Sequence, residues 1–346
     1  MSECKPRIIL AADRSAGHLF PASSLLPFLK AKWTAYFFAT SDYFKTQIRG
    51  QDCFFLGREL SFRNLFFELV FRFFEAVYIL CRVRPDYVLG FGGRGSFFLV
   101  LLAPLFKAKT AVYEPNLKFG LANRWLKYVA GKVYTGFPLS ESSSKYVYAG
   151  IPLRPDLRLR DKAEARKILG LEPDLPVLLC FGGSQGSCFI NEICRRLVIE
   201  KKDSFQLIHI TGQEEYYSFK LFYDKINKKQ RFVKGFFRDM DILYSASDLV
   251  ISRSGASTVA ELSFFSLPAL FLPLPGAGGH QKENACYFKP WAQVFLQEGD
   301  IYTAVSRAVD EILENPALGR DRGCKMKSLS VAVKAADFYR SVFPDN

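Results

Sequence analysis

The sequence is poor in the side chains that proteins use to hold transition metals. It contains three histidines, none at the spacing of a metal-ligand motif, and its eight cysteines form no CxxC pair. These patterns argue against a metal site built from protein ligands, and we expect none. Several cysteines lie inside apolar runs instead, which is typical of reduced cytosolic thiols that act as small core residues.

Long apolar runs are also missing. The longest, Phe97–Phe106, is about half of the roughly 20 residues that a membrane-spanning helix needs, and Pro104 interrupts it. The run Ile8–Ala12 is too short for the apolar region of a signal peptide. We therefore expect neither a membrane span nor a secretion signal. With 346 residues, 49% of them apolar, the composition indicates two globular domains of ordinary size.

The formal charge of +13 indicates an anionic partner, either nucleic acid or a membrane surface. No RNA-reading or DNA-reading motif accompanies this charge, so we expect no nucleic acid. Residues 58–84 instead interleave six phenylalanines with five arginines. As a helix, this segment is apolar over more than the ~100° stripe that one core contact needs, which suits partial insertion into an anionic headgroup layer. The alternative is a helix packed between two elements of its own domain. The side chains expected at the membrane are Arg63, Phe66, Phe67, Val70, Phe71, Arg72 and Phe74.

The most informative segment is Phe181–Glu192, which reads FGGSQGSCFINE. It follows the apolar run Val177–Cys180 and opens into a helical pattern, so it predicts a buried strand, a glycine-rich turn and a helix start. Such a turn presents bare backbone N–H groups and the positive end of a helix to a phosphate. Its spacing is neither GxGxxG nor that of a P-loop. A nucleotide diphosphate is one interpretation, and a tight strand-to-helix turn without a ligand is the other.

Strand and helix patterns alternate along the whole chain, which predicts an α/β fold with parallel sheets. Two further turns follow strands, at Asp13–His18 and at Gly90–Ser96. Two prolines in Ile151–Asp156 interrupt the alternation and indicate a domain boundary. We expect an N-terminal domain at residues 1–155 and a C-terminal domain at residues 156–346, with packing of the last helix on the first domain as an alternative. The predicted strands are Arg7–Ala11, Ala35–Ala39, Tyr87–Phe91, Thr110–Tyr113, Lys132–Thr135, Val177–Phe181, Phe205–Thr211, Arg231–Lys234, Leu249–Ser252, Ala269–Leu272 and Gln293–Leu296.

With these motifs assembled, the chain resembles the MurG glycosyltransferases over nearly its whole length. Five segments in order carry the resemblance: RPDYVLGFGGRGS (Arg84–Ser96), YEPN (Tyr113–Asn116), AGIPLR (Ala149–Arg154), FGGSQG (Phe181–Gly186) and DLVISRSGASTVAE (Asp248–Glu261). The resemblance implies the GT-B fold, in which two Rossmann-like domains face each other across a cleft. It also implies transfer of N-acetylglucosamine from UDP-N-acetylglucosamine to lipid I, which yields lipid II for peptidoglycan.

The resemblance further implies which residues bind the donor. Glu261 would accept hydrogen bonds from the ribose, the alternative being a solvated helix carboxylate, and Arg154 would neutralise the departing UDP. Phe237 would bind uracil through its backbone, while Gln281 and Asn116 would bind the transferred sugar. The other implied donor contacts are Ser15, Ala16, Gly17, Gly183, Ser184, Gln185, Gly186, Ala256, Ser257, Thr258, Val259 and Ala260.

His18 is the implied general base, which would deprotonate the 4-hydroxyl of the acceptor. The alternative is a histidine that orients its loop or binds a phosphate. The implied reaction is a single inverting displacement in which Arg154 and a helix dipole stabilise UDP, so no metal or other cofactor is required. The implied location is the cytoplasmic face of the bacterial inner membrane, as a peripheral protein, and the oligomeric state stays open. The implied acceptor contacts are Arg14, Gly92, Gly93, Arg94 and Glu114.

The first loop departs from the family pattern. The family has GGTGGH where this chain has Asp13-Arg14-Ser15-Ala16-Gly17-His18, and Asp13 would repel the acceptor's diphosphate. Arg94 stands where tyrosine is common, and His280 replaces a glutamine. The donor half is thus better preserved than the acceptor half. Two alternatives follow: a transferase that uses another lipid acceptor such as diacylglycerol, and a paralogue that binds UDP-sugar without turnover.

Overall fold

The computed structural model describes residues 5–13, 16–40, 53–57, 64–140, 143–201, 204–226 and 231–344. The chain divides into two compact units: unit 1 contains Met1–Pro155 and Val333–Asn346, and unit 2 contains Asp156–Ala332. The last helix therefore belongs to unit 1, because Phe338 and Val342 are buried in the same cluster as Leu19 and Leu25 of the first helix.

Unit 1 is built around a parallel sheet with helices on both faces. Its strands are β1 (Arg7–Ala11), β2 (Thr34–Phe38), β3 (Phe54–Leu56), β4 (Tyr87–Gly90), β5 (Lys109–Glu114), β6 (Lys132–Thr135) and β7 (Tyr146–Tyr148), followed by the short β8 (Ile151–Pro152). Its helices are α1 (Ala16–Leu29), α2 (Leu65–Val83), α3 (Arg94–Leu102), with a 3-10 turn at Ala103–Phe106, and α4 (Leu121–Val129). The last helix, Ala335–Val342, completes this unit.

The sheet of unit 1 has the order β3-β2-β1-β4-β5-β6-β7, and β1 pairs in parallel with both β2 and β4. Successive side chains of a strand point to opposite faces. Ile8 and Leu10 accordingly join the core under α1. Ile9 and Ala11 join the core on the other face, with Ala76, Ile79, Leu80 and Val83 of α2.

Unit 2 repeats this plan. Its strands are β9 (Val177–Phe181), β10 (Gln206–Ile210), β11 (Arg231–Lys234), β12 (Leu249–Ser252), β13 (Ala269–Phe271) and β14 (Gln293–Val294), in the order β11-β10-β9-β12-β13-β14. Its helices are α5 (Lys162–Leu169), α6 (Cys188–Glu200), α7 (Tyr216–Lys225), α8 (Met240–Ala246), α9 (Ala256–Phe264), α10 (His280–Tyr287), α11 (Tyr302–Leu313) and α12 (Pro316–Ser328). The chain then passes through β15 (Ala332–Val333) to α13 (Ala335–Val342).

The α/β class and the parallel sheets are confirmed. Residues 177–181 are buried throughout, as expected of a strand covered on both faces. The sequence analysis missed β3 and β7, which are three residues long and lie at the two edges of the unit 1 sheet. The helical pattern over His18–Lys30 predicts the first helix, which in the structure spans Ala16–Leu29.

Candidate active site

In unit 2, two of the motifs lie side by side at one end of the sheet. The strand order reverses between β9 and β12, and Phe181 at the end of β9 pairs with Ser252 at the end of β12. In open α/β sheets, ligands bind outside the carboxyl ends of the strands at such a switch point. The FGGSQG loop and the turn that leads into α9 therefore occupy the position where this fold binds its ligand.

The FGGSQG loop makes a tight turn, in which the N–H of Gly186 donates to the carbonyl of Gly183 at 3.1 Å. Gly183 and Gly186 have φ values of 95° and 80°, a region that favours glycine. A Cβ on Gly186 would lie 2.4 Å from the carbonyl oxygen of Thr211, so this close approach also requires glycine. Ser184 and Gln185 are exposed, and helix α6 begins just beyond them at Cys188. The predicted turn is present, and its N–H groups stand next to a helix start.

Arg253 connects the FGGSQG loop to the turn before α9 through hydrogen bonds. The sequence analysis assigned it no role. Its guanidinium donates to the hydroxyl of Ser187 at 2.8 Å and to the carbonyl of Leu272 at 2.7 Å. Ser187 in turn caps α6 by accepting from the N–H of Ile190 at 3.3 Å. Burial lowers the pKa of Arg253. From the sequence alone, an arginine directly after a strand could be either a buried hydrogen-bond donor or an exposed charge, so the role of Arg253 could not be predicted.

Helix α9 supplies the second helix start of the site. Gly255 caps it, and the first turn is Ala256, Ser257 and Thr258, whose N–H groups precede the first helical hydrogen bond. That bond runs from the N–H of Val259 to the carbonyl of Gly255 at 3.0 Å.

The sequence analysis counted Val259 and Ala260 among the donor contacts, and the structure corrects this prediction. Both side chains are completely buried, and the amide of Val259 is used inside the helix. Neither side chain therefore offers surface to a ligand.

Glu261 lies one turn further along α9 and is 8% exposed. Its Oε2 accepts a hydrogen bond from the hydroxyl of Tyr244 at 2.7 Å. The alternative of a solvated helix carboxylate is therefore wrong, because this carboxylate is held inside the unit.

Gln281 is brought next to the start of α9. Its backbone carbonyl accepts from the hydroxyl of Ser254 at 2.8 Å, and its side-chain oxygen accepts from the N–H of Leu274 at 2.9 Å. The amide nitrogen is the end of the side chain that remains to donate to a sugar hydroxyl. Phe237 follows β11 at the far edge of the sheet, half-buried against Phe232 at a ring distance of 5.1 Å.

Unit 1 has its own switch point, between β1 and β4, where Ala11 pairs with Gly90. The first loop and the second glycine-rich turn leave these strands together. Oδ2 of Asp13 accepts from the backbone N–H of Arg94, the first residue of α3, at 3.1 Å. Gly92 and Gly93, with φ values of 97° and 88°, make the turn between. Arg14 and Ser15 lie outside the described residues; Ala16 and Gly17 open α1.

His18 reaches the same turn from α1. It is half-buried, and a Cβ on Gly92 would lie 3.1 Å from its Nε2 and 3.4 Å from Nδ2 of Asn123. Glycine at position 92 therefore lets the imidazole and the asparagine approach the turn closely. The sequence analysis did not single out Asn123, whose helical position in α4 resembles that of any polar residue.

Glu114 is buried and holds the loop around Asn116 by hydrogen bonds, so it is not an exposed contact for the acceptor. It is 2% exposed, and its two oxygens accept from Asn116, Gly120 and Asn123 at 2.9–3.0 Å. The predicted acceptor role of Glu114 is therefore corrected to one of shaping the loop that carries Asn116. Arg154 belongs to unit 1 as well, and its guanidinium lies 5.9 Å from the ring of Phe20.

Arg94 lies at the turn, and its side chain contacts helix α2. Its guanidinium donates to Glu68 at 2.9 Å, yet the side chain is 58% exposed. The pairing with Glu68 ties the start of α3 to the first turn of α2, while the exposed part of the guanidinium can still meet an anion.

Helix α2 buries one side and exposes an aromatic face. The exposed side chains include Phe66, Phe67, Val70, Phe74 and Tyr78, between 39% and 67%. Arg72 corrects the sequence analysis: it is 2% exposed and pairs with Glu75 at 2.6 Å, because it lies on the buried side of the helix. Arg63 lies outside the described residues, and Phe71 is half-buried.

Helix α4 adds exposed side chains at Leu121, Trp125 and Tyr128, which a helical spacing of four and three residues places on one face. No helix in the part of the chain that the structure describes is long and apolar enough to cross a membrane. Among these same residues, no group of three or more His, Cys, Asp or Glu side chains could hold a metal ion.

A cavity of about 460 Å³ lies in unit 2 at the opposite, amino end of the strands. Its lining includes Pro176, Asp248 and Pro268, which precede β9, β12 and β13. Three of its cations are engaged in ion pairs: Arg160 with Asp241 at 2.6 Å, and Lys162 and Arg166 with Asp248. The candidate site is therefore the switch point and not this cavity.

Comparisons with known proteins agree with this geometry. The model of the glycosyltransferase family 28 N-terminal domain matches residues 8–135, and that of the C-terminal domain matches residues 177–333. The UDP-N-acetylglucosamine–N-acetylmuramyl-(pentapeptide) pyrophosphoryl-undecaprenol N-acetylglucosamine transferase of Protochlamydia amoebophila is 33% identical over 332 residues, covering 89% of this chain and 85% of that protein. The transferase of the same name from Aquifex aeolicus is 33% identical over 321 residues, covering 89% and 92%.

The fold has a counterpart among solved structures. The crystal structure of Acinetobacter baumannii MurG matches with a TM-score of 0.77 at 23% identity, over 96% of this chain and 97% of that one. The two parallel-sheet units are thus those of the GT-B fold. From the identity to the curated transferases over most of its length, the chain belongs to the MurG family of glycosyltransferases.

Proposed function

We propose that this protein transfers N-acetylglucosamine from UDP-N-acetylglucosamine to the 4-hydroxyl of the muramoyl sugar of lipid I, forming lipid II. The observation that carries the proposal is the 33% identity, over 89% of the chain, to relatives that are named for this transfer. Family membership is supported by the two switch points, each of which holds a family motif.

The donor binds at the switch point of unit 2. The Gly183–Gly186 loop with Ser184 and Gln185, and the first turn of α9, offer N–H groups and two positive helix ends to the diphosphate. The N–H of Gly186 itself closes the turn by donating to the carbonyl of Gly183 at 3.1 Å. Glu261 accepts from the ribose hydroxyls, and the amide of Gln281 donates to the sugar. Phe237 contributes backbone groups to uracil from the end of β11. Asn116, held by Glu114, is the proposed sugar contact in unit 1.

Catalysis rests on His18 and on stabilisation of the departing UDP. The imidazole takes the proton from the 4-hydroxyl as its oxygen bonds to the anomeric carbon, while the bond from that carbon to the UDP oxygen breaks. The helix ends and Arg154 stabilise the negative charge that moves onto UDP. Since these groups supply the positive charge, the reaction runs without a metal or another cofactor, and turnover in excess chelator is the corresponding test.

The acceptor diphosphate lies at the switch point of unit 1, near Gly92, Gly93 and Arg94. The exposed part of the Arg94 guanidinium supplies positive charge there, and Arg14 is a second candidate cation. Asp13 is the feature that favours a different acceptor, because it places a negative charge beside this turn.

The aromatic face of α2 is the proposed contact with the membrane. Exposed Phe66, Phe67 and Phe74 suit insertion at the headgroup boundary, and the net charge of +13 suits an anionic surface. Leu121 and Trp125 on α4 extend the apolar surface. We therefore propose that the protein is peripheral and lies on the cytoplasmic face of the bacterial inner membrane, where lipid I would present its sugar.

The proposal is tested by UDP release from UDP-N-acetylglucosamine with a short-chain lipid I analogue, with diacylglycerol, and without acceptor. We expect release that depends on the lipid I analogue and is far slower with diacylglycerol. Faster release with diacylglycerol would assign the protein to another lipid acceptor. Binding of UDP-N-acetylglucosamine without release to either acceptor would identify a paralogue that has lost turnover.

A further inference from the structure

Tyr244 is the buried partner of the proposed ribose-binding carboxylate. It lies on α8, is 2% exposed, and donates its hydroxyl proton to Oε2 of Glu261 at 2.7 Å. A carboxylate can accept about four hydrogen bonds, and the bond from Tyr244 is one of them. The bond fixes the direction in which the carboxylate points.

The ring of Tyr244 is held from two sides. Its centroid lies 5.2 Å from that of Phe265, the C-cap residue of helix α9, and 6.1 Å from that of Phe181. Phe181 is the last residue of β9 and the first of the FGGSQG motif. One aromatic side chain therefore contacts both the strand that leads into the glycine loop and the residue at the end of the ribose helix.

This arrangement restricts the side chain of Glu261 before the donor binds, so that binding costs less conformational entropy. A glutamate side chain loses rotamer freedom when a ligand orders it, and a hydrogen bond already in place takes over part of that ordering.

We propose that Tyr244 is a positioning residue for the donor site: it holds Glu261 so that the carboxylate accepts from the ribose hydroxyls of a uridine diphosphate, and it thereby favours ribose over deoxyribose. The inference rests on the proposed function, since it takes Glu261 as the ribose contact. Tyr244 itself does not touch the donor.

The test is calorimetric binding of UDP, 2′-deoxy-UDP and 3′-deoxy-UDP to the full-length protein and to Tyr244→Phe. The substitution keeps the ring and removes only the hydroxyl. We expect it to weaken UDP binding by about three- to tenfold, which corresponds to the net free energy of one ordinary hydrogen bond. Binding of the deoxy compounds should change less, so that the preference for ribose falls.

A matched control exists in the same unit. The hydroxyl of Tyr302 donates to Glu200, at a position where neither residue belongs to the donor site. Tyr302→Phe removes the same kind of bond and should leave the preference for ribose as it is in the unchanged protein. A loss of thermal stability common to both variants would report the shared structural effect.

The outcomes separate this inference from the function on which it rests. If the unchanged protein fails to prefer UDP to its deoxy analogues, the ribose role of Glu261 fails and the inference fails with it. If the unchanged protein prefers UDP and Tyr244→Phe does so equally, Tyr244 has only a structural role. Should Tyr244→Phe not fold, Phe265→Leu, which loosens the ring but retains the hydroxyl, is expected to reduce the preference, and an unaltered preference in that variant would also overturn the inference.

Discussion

The backbone N–H of Arg94 donates to the carboxylate of Asp13 at 3.1 Å, across the switch point of unit 1. The other carboxylate oxygen accepts from the hydroxyl of Thr40 at 2.6 Å. Arg94 begins α3, so Asp13 places a negative charge at the positive end of this helix, a position that also suits a phosphate. The acid that departs from the family pattern therefore stabilises the local fold where the acceptor diphosphate is proposed to bind.

Replacing Asp13 should separate these two effects. Asp13→Gly is expected to lower the free energy of unfolding by about 1 kcal/mol, because α3 loses an interaction equivalent to an N-cap. It should also lower KM for the lipid I analogue, since a negative charge near the diphosphate is removed. Asp13→Asn should lower KM with a smaller loss of stability. A higher KM in both variants would mean that Asp13 assists acceptor binding.

Removing the imidazole of His18 should impair the chemical step. His18→Asn is expected to lower kcat by about 10²- to 10⁴-fold, the usual contribution of a general base, with little change in the affinity for UDP. The comparison uses saturating donor and the lipid I analogue. A fall of less than tenfold in kcat, together with a raised KM for the acceptor, would support the alternative in which His18 binds a phosphate or orients the loop.

Removing Arg253 should affect both stability and the donor. Arg253→Met leaves the Leu272 carbonyl and the Ser187 hydroxyl without this donor, so we expect about 2 kcal/mol less stability in urea unfolding and a higher KM for UDP-N-acetylglucosamine. Arg195→Met is the control, since Arg195 forms an exposed pair with Glu192 on the same helix. Such pairs contribute about 1 kcal/mol or less. An equal effect of the two substitutions would contradict the role given to Arg253.

The aromatic face of α2 can be tested without touching the active site. Phe66→Ser combined with Phe74→Ser should reduce binding to vesicles that contain anionic lipid by tenfold or more, because each ring contributes about 1.5–3 kcal/mol on burial. Turnover of a water-soluble acceptor should not change. Tyr217→Ser with Leu221→Ser removes exposed apolar side chains from α7 of unit 2 and is the control. Equal vesicle binding by all three proteins would place the membrane contact elsewhere.

The sequence was sufficient for the fold class and for the turns that matter. Apolar runs predicted β9 and β12, since a strand covered on both faces needs a continuous apolar stretch. The positive φ of Gly183 and Gly186 is the reason the FGGSQG motif contains glycine at those positions. The wide apolar surface of α2 was visible too, because no helix with a single buried side needs so many aromatic residues.

The partners of the motif residues could not be predicted from the sequence. Arg72 was assigned to the membrane because its neighbours are aromatic, but the helical turn places it on the buried side beside Glu75. Tyr244 and Arg253 contribute through contacts with residues 17 and 66 positions away, and a sequence pattern carries no such pairing. The role of Glu114 likewise became visible only when its oxygens were seen to accept from the loop around Asn116.

The most direct test of the central claim is to identify the product formed from UDP-N-acetylglucosamine and a lipid I analogue. Mass spectrometry should show the analogue extended by one N-acetylhexosamine, and nuclear magnetic resonance should show a β linkage to the 4-hydroxyl of the muramoyl sugar, as an inverting displacement requires. An unextended analogue in the presence of bound donor, or a sugar attached at another position, would contradict the account.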